Sequence, residues 1–227
     1  MNSINLIFMF ILVILIIMIS LFNFQENFTQ EEKTKGVDKK TLIFLGDSIL
    51  DNKNYVNKTD SVEYLLREND KYKIVFLAQD NSIIADIASQ LDKIPKELNN
   101  KNNYVFLSVG GNNLLNQILT STINYDSIIT LFKEYKGLIK EIKDRLPNSK
   151  LYLFNIYFPS DIKYKAYYDF ISEWNTLLSN YINLNNSLKE ITVDKLCNLP
   201  LDFVNDYEPS GICSKKIVND IFNLFTF

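Results

Sequence analysis

The chain has no histidine. That absence removes imidazole as a general base, as a metal ligand and as a proton switch near neutral pH. Only two cysteines are present, so a zinc site of the His/Cys type is excluded. An excess of positive charge is also missing. Twenty-four Lys and Arg stand against 27 Asp and Glu, a net charge of -3, which gives no support to nucleic-acid binding. Glycine is scarce, at six residues. Lys, Asn, Ile, Tyr and Phe are abundant, as AT-rich coding produces, so runs of lysine or asparagine carry little information. Apolar residues make up 47% of the 227 positions. That suffices for one domain with its own core.

The first segment stands apart. From Leu6 to Phe22 there is no charge and one hydroxyl, Ser20. Taken from Ile4 to Phe24, a helix would span about 30 Å, one hydrocarbon core. A cleaved signal peptide is the rival reading. No Lys or Arg precedes the apolar run, however, and no small-x-small site follows it. An uncleaved transmembrane anchor over residues 1–24 is expected, followed by a polar tether over 25–39. The side of the membrane stays open. Lys33, Lys35, Lys39 and Lys40 follow the span, which favours a cytoplasmic domain. Glycosylation sequons at Asn27, Asn57 and Asn185, and a bridge between Cys197 and Cys213, would favour the opposite side.

After the tether, short apolar runs alternate with helical patterns. Residues 41–46, 73–78, 104–110, 150–157 and 190–194 read as strands, rich in β-branched and aromatic residues and apolar on both faces. Helical periodicity falls on 62–69, 83–93, 127–145, 164–181 and about 214–225. The expected fold is α/β: a three-layer α/β/α sandwich with a five-stranded parallel, flavodoxin-like sheet over residues 40–227. Working residues in such sheets gather at the carboxyl ends of the strands.

The first strand ends in "LGDSILDN". Gly46 permits a sharp turn, and Ser48 would stand at the start of a following helix with free N–H groups beside it. Either Ser48 is a nucleophile there, or Asp47 or Ser48 is an ordinary helix cap. The third strand ends in "SVGGNNLL", where Gly110 and Gly111 admit a close backbone approach. The Asn112 amide that follows can donate to an oxyanion or merely close a turn. Asn81 follows the second strand. Before the last helix comes "DYEPSG", with Glu208 ahead of Pro209, a base or only a helix-start charge.

The order "GDS", "GGN" and "EPSG" resembles the SGNH (GDSL-type) hydrolase superfamily over about residues 40–225. The longer stretches "GDSILDNKNYV", "LSVGGNN" and "DYEPSGICSKKI" look like an esterase-like bacterial branch with Glu-Pro-Ser where most relatives carry His-Pro. The resemblance implies Ser48 as nucleophile. It implies an oxyanion hole from the backbone N–H groups of Ser48 and Asn81 and the side chain of Asn112, supported by Gly46, Asp47, Gly110 and Gly111. Two departures bear on the base. Glu208 stands for the histidine, and Asn205 for the aspartate three residues before it. A carboxylate only accepts hydrogen bonds, so its holder must donate, which Asn205 can do and an aspartate cannot. The expectation is a membrane-anchored serine esterase with Glu208 as base and Asn205 as its holder. It would act on an ester-bearing lipid or glycan, contact the bilayer through residues 4–24, bind no nucleic acid and need no cofactor. The alternative is an inactive SGNH-fold module that binds a glycan or acyl ligand. A structural protein with no site would show no cavity above the strand ends.

Overall fold

The computed structural model describes residues 18–20, 39–99 and 101–226. Its contacts divide the chain into two compact units, Met1–Lys39 and Lys40–Phe227. In the first unit, residues 18–20 are helical. The rest of the expected anchor and nearly all of the tether lie outside the described residues. Among the described residues no helix is long and apolar enough to cross a membrane.

The second unit is built on five parallel strands in the order β2-β1-β3-β4-β5: β1 Thr41–Gly46, β2 Lys73–Phe76, β3 Tyr104–Ser108, β4 Lys150–Phe154 and β5 Leu188–Ile191. All six residues of β1 are buried, because a central strand covered on both faces has no solvent side. Alternation along the strands makes two separate cores. Ile43, Leu45, Val105, Leu107, Leu151 and Leu153 point to one face. There they pack under α2 (Ile87–Leu91), α4 (Tyr125–Arg145) and α5 (Tyr168–Asn183). Leu42, Phe44, Phe106, Tyr152 and Phe154 point to the other face, under α1 (Val62–Arg67) and α7 (Gly211–Asn223). On this second face Phe44, Phe106 and Tyr152 stack ring on ring, with successive centroids 4.9 Å apart. Each such side chain contributes about 1.5–3 kcal/mol on burial. The two covered faces make the three-layer architecture, and the strand order is flavodoxin-like.

The 21-residue α4 shows why the helices lie where they do. Its buried residues Ile128, Leu131, Phe132, Tyr135, Leu138, Ile139 and Ile142 recur at helical spacing. Asn124 caps its start by accepting the Ser127 N–H at 2.9 Å.

Several elements differ from the sequence expectation. Residues 190–194 divide between β5 and a short helix, α6 (Val193–Leu196). The stretch 83–93 holds a 3-10 turn at Ile84–Asp86 before α2, and 164–181 begins as a 3-10 helix at Ile162–Tyr167 before α5. Like α6, helix α3, Gly111–Leu119, was not among the expected helices. Its one glycine and three asparagines, with Gly110 just before it, conceal an apolar face carrying Leu114 and Ile118.

Cys197, just after α6, is disulfide-bonded to Cys213 in the first turn of α7, with Cα atoms 5.4 Å apart. The bridge closes the loop that carries Glu208. A loop of this length contributes about 3 kcal/mol in the chain-entropy account.

Candidate active site

The carboxyl end of β1 is locked before it turns. Gly46 has φ +141°, and a Cβ there would lie 2.0 Å from the Ser108 carbonyl oxygen on β3. Gln90 of α2, fully buried, accepts the Gly46 N–H at 2.8 Å and donates to the Gly46 carbonyl at 2.9 Å. Asp47 then donates its N–H to the Ser108 carbonyl, and its Oδ1 accepts the Ser108 hydroxyl at 2.6 Å and the Ile49 N–H at 3.2 Å. The chain continues through a single turn, with the Asp51 N–H on the Asp47 carbonyl at 2.9 Å. No helix starts here: α1 begins at Val62 and is capped by Ser61. The expected helix terminus behind Ser48 is therefore replaced by one turn, and neither Asp47 nor Ser48 is a helix cap. Ser48 is 6% exposed.

Asn81 sits at φ +62°, the left-handed backbone that asparagine tolerates better than most residues. It is exposed, on the segment between β2 and α2. Its neighbour Ser82 accepts the Asn112 side-chain amide at 3.0 Å, which ties this segment to the start of α3. One of the two amide hydrogens of Asn112 is used in that bond, leaving the second for a ligand. Gly110, at φ +118°, precedes α3, and a Cβ there would meet the Trp174 ring at 2.6 Å.

Glu208 is held by a compact loop. Phe203 and Pro209 form an antiparallel bridge, Val204 donates to the Glu208 carbonyl at 3.0 Å, and Ser210 donates to the Asp202 carbonyl at 2.8 Å. Asn205 does not act as the expected holder. Its side-chain oxygen accepts the backbone N–H groups of Tyr207 and Glu208 at 3.0 and 2.8 Å, a turn that shapes the loop. Oε2 of Glu208 is buried with no hydrogen-bond partner. Asn205 is used here as an acceptor, and an aspartate oxygen could accept the same two N–H groups.

Ser48, Asn112 and Glu208 line one cleft above the strand ends, together with Asp47 and Gly111. Its remaining wall is mostly apolar, with Leu114, Leu115 and Ile118 of α3 facing Ile156, Tyr164 and Ile171. Glu208 is 5% exposed, and burial pushes its carboxyl up from 4.5 to about 7. A hydrogen bond from the Ser48 side chain pulls the other way, and the Asp80 charge adds to the rise. Burial also lifts Asp47 to about 7 against the hydrogen bonds from Ser108 and Ile49, with the charge of Glu208 adding to the rise. Such an arrangement can take a proton from a serine hydroxyl near neutral pH. Asp47, Gln90 and Asn112 complete the cleft and its supports, while Asn81 and Asn205 lie outside its lining.

Several residues of this neighbourhood were not singled out from sequence: Gln90, Asn52, Tyr55, Asp80 and Tyr157. Asn52 is fully buried and donates to Ser214 Oγ at 2.7 Å and the Pro209 carbonyl at 3.4 Å, so it anchors the Glu208 loop. Tyr157 donates to the Tyr207 carbonyl at 2.5 Å. Gln90 alone left a signal, as a polar residue on the buried side of a short apolar helix.

The fold is that of the SGNH (GDSL-type) hydrolases. A lipolytic G-D-S-L family protein from Veillonella parvula superposes with a TM-score of 0.67 at 13% identity, covering 82% of this chain and 98% of its own. An acetyl xylan esterase, AlAXEase, superposes at 0.65 and 17% identity over 82% and 99% of the two chains. Phospholipase A1 from Streptomyces albidoflavus superposes at 0.61 and 13% identity, again over 82% and 99%. No protein-family model matches the sequence, and no curated protein matches it.

Proposed function

We propose that the chain is an ester hydrolase of SGNH type in which Ser48 is the nucleophile and Glu208 the base. Ser48 Oγ attacks the acyl carbon as Glu208 accepts its proton. The carbonyl oxygen becomes an oxyanion held by the second amide hydrogen of Asn112 and by the backbone N–H of Ser48, the two expected donors that line the cleft. The proton passes from Glu208 to the departing alkoxide, leaving an acyl-enzyme. Water then attacks, Glu208 again taking a proton, and its return to Ser48 Oγ frees the acid. The observation that carries this reading is a buried carboxyl near 7 beside a buried serine, in one cleft at the strand ends.

The space inside the cleft is about 60 Å³, below the ~300–1,000 Å³ of sites that enclose a whole small molecule. Only the reacting end of a larger ester would be enclosed, which suits a lipid or a glycan whose bulk stays outside. One fold neighbour is named a phospholipase and another an acetyl xylan esterase, so the likeness selects neither class. The apolar run at residues 4–24 supports an anchor that keeps the domain beside the bilayer.

One observation favours the second reading, an inactive module that binds an acyl or glycan ligand: among the described residues no group donates to Glu208 Oε2. A serine-directed phosphonate separates the two. The esterase reading expects covalent labelling at Ser48, abolished in Ser48→Ala, together with turnover of a p-nitrophenyl ester. Neither labelling nor turnover in folded protein would establish the binding module.

A further inference from the structure

The cleft joins two kinds of wall, and the reaction as written uses only one of them. Its polar groups come from Asp47, Ser48, Asn112 and Glu208. Beyond Asn112 the wall turns apolar. Asn112, Leu115 and Ile118 all line the cleft and recur every third residue on α3, so they form one stripe along that helix. The stripe leads from the proposed oxyanion donor into the apolar arm, over about 9 Å of helical rise from Asn112 to Ile118. Ile156, Tyr164 and Ile171 also line the arm, from the segment after β4, the 3-10 helix and α5. Ile118 and Tyr164 are 7% and 8% exposed, yet neither belongs to the cores on the two faces of the sheet. They wall the arm rather than fill a core.

We propose that this arm is an acyl-chain site, with Ile118 setting its length, and that the substrate is an ester of an acyl group about four to six carbons long rather than an acetyl ester. This rests on the cleft being the ester-hydrolysing site. With the acyl carbonyl at Ser48 and Asn112, the chain runs along the stripe toward Ile118 and the alcohol portion stays outside. The space of about 60 Å³, at about 10–15 Å³ for each water-sized group, holds about four to six such groups, and a methylene is close to that size. An acetyl group would leave most of the arm empty. Walls of Leu and Ile give an enclosed water too few hydrogen-bond partners to take its place. Each methylene moved from water into the arm strengthens binding about 4-fold. Ile118 stands at the far end of the stripe from Asn112, so its bulk decides where the chain stops.

Initial rates of the full chain on p-nitrophenyl acetate, butyrate, hexanoate and octanoate test this. From acetate to the better of butyrate and hexanoate, kcat/KM should rise by about 10- to 10²-fold, then fall at octanoate. Ile118→Trp, which fills the end of the arm, should move the optimum to acetate, and Ile118→Ala should move it to octanoate. Leu115→Phe, at a half-buried position, should also shorten the optimum and serves if Ile118→Trp does not fold. A purely structural role would lower all four esters alike and leave the optimum in place. An acetate rate equal to those of butyrate and hexanoate, or an optimum unmoved in the folded variants, overturns the proposal while the esterase reading stands. Binding gives a readout without turnover. In Ser48→Ala, hexanamide should shift the Ile118 methyl signal in carbon-13 spectra, assigned by its loss in Ile118→Ala, at concentrations where acetamide does not. No shift with hexanamide overturns the acyl site. Hexanamide binding without turnover of any ester removes the esterase reading and keeps the arm as the acyl site of a binding module.

Discussion

At the scale of single residues, the account turns on burial of charge. Glu208 is almost fully buried, and its carboxyl is lifted from 4.5 to about 7 by burial first, against a hydrogen bond from Ser48. A carboxyl raised on folding contributes stability below its unfolded value, and that contribution is lost as pH rises through about 7. Glu208→Gln should therefore be stabilising relative to the parent at pH 8 and much less so at pH 5. The difference should be on the order of 1–3 kcal/mol. Urea unfolding of both proteins at the two pH values measures it, and a difference independent of pH would contradict the buried environment. Ser48 and Asn112 were singled out in the sequence because each follows a strand end, and Glu208 because "EPSG" precedes the last helix. The role of Asn205 was not legible: an amide both donates and accepts, and only the loop geometry shows its oxygen on two backbone N–H groups. Asp80 and Tyr55 left no signal either, since nothing in the spacing of 25 residues says that they meet.

At the scale of elements, the strands were the most legible part. Runs such as Leu42–Leu45 are short and apolar on both faces, and their alternation with helical patterns fits a covered parallel strand. The fifth strand was displaced because "EITVD" continues its β-branched composition into a helical turn at Val193. Helix α3 was hidden because Gly111, Asn112, Asn113 and Asn116 read as a turn. Packing of Leu114 and Ile118 outweighs their weak propensity. The loop bearing Glu208 owes its shape to anchors at both ends: the Cys197–Cys213 bridge, and Asp202, whose carboxylate accepts Lys216 Nζ at 2.7 Å. Replacing both cysteines by serine should lower stability by about 2–4 kcal/mol and slow any turnover by loosening the loop. Urea unfolding and initial rates on the double variant check this. Unchanged stability would show that the bridge does not form in solution.

At the scale of the whole molecule, the described residues of the two cores on the faces of the sheet all lie within residues 40–227. The expectation is that this unit, expressed without residues 1–39, folds and remains monodisperse by size-exclusion chromatography, with cooperative unfolding. Aggregation alone would mean that the first unit supplies part of the core. The anchor proposed for residues 4–24 belongs to the same scale. The full chain should partition with membranes after alkaline carbonate washing, whereas the 40–227 unit should stay in the supernatant.

The most direct test of Ser48 activated by Glu208 is the rate of Ser48 phosphonylation as a function of pH. In the parent the rate should rise with pH through a midpoint near 7, where Glu208 gives up its proton. In Glu208→Gln it should lie about 10²- to 10⁴-fold lower and lack that step. An unchanged rate and midpoint in Glu208→Gln would remove Glu208 from the mechanism.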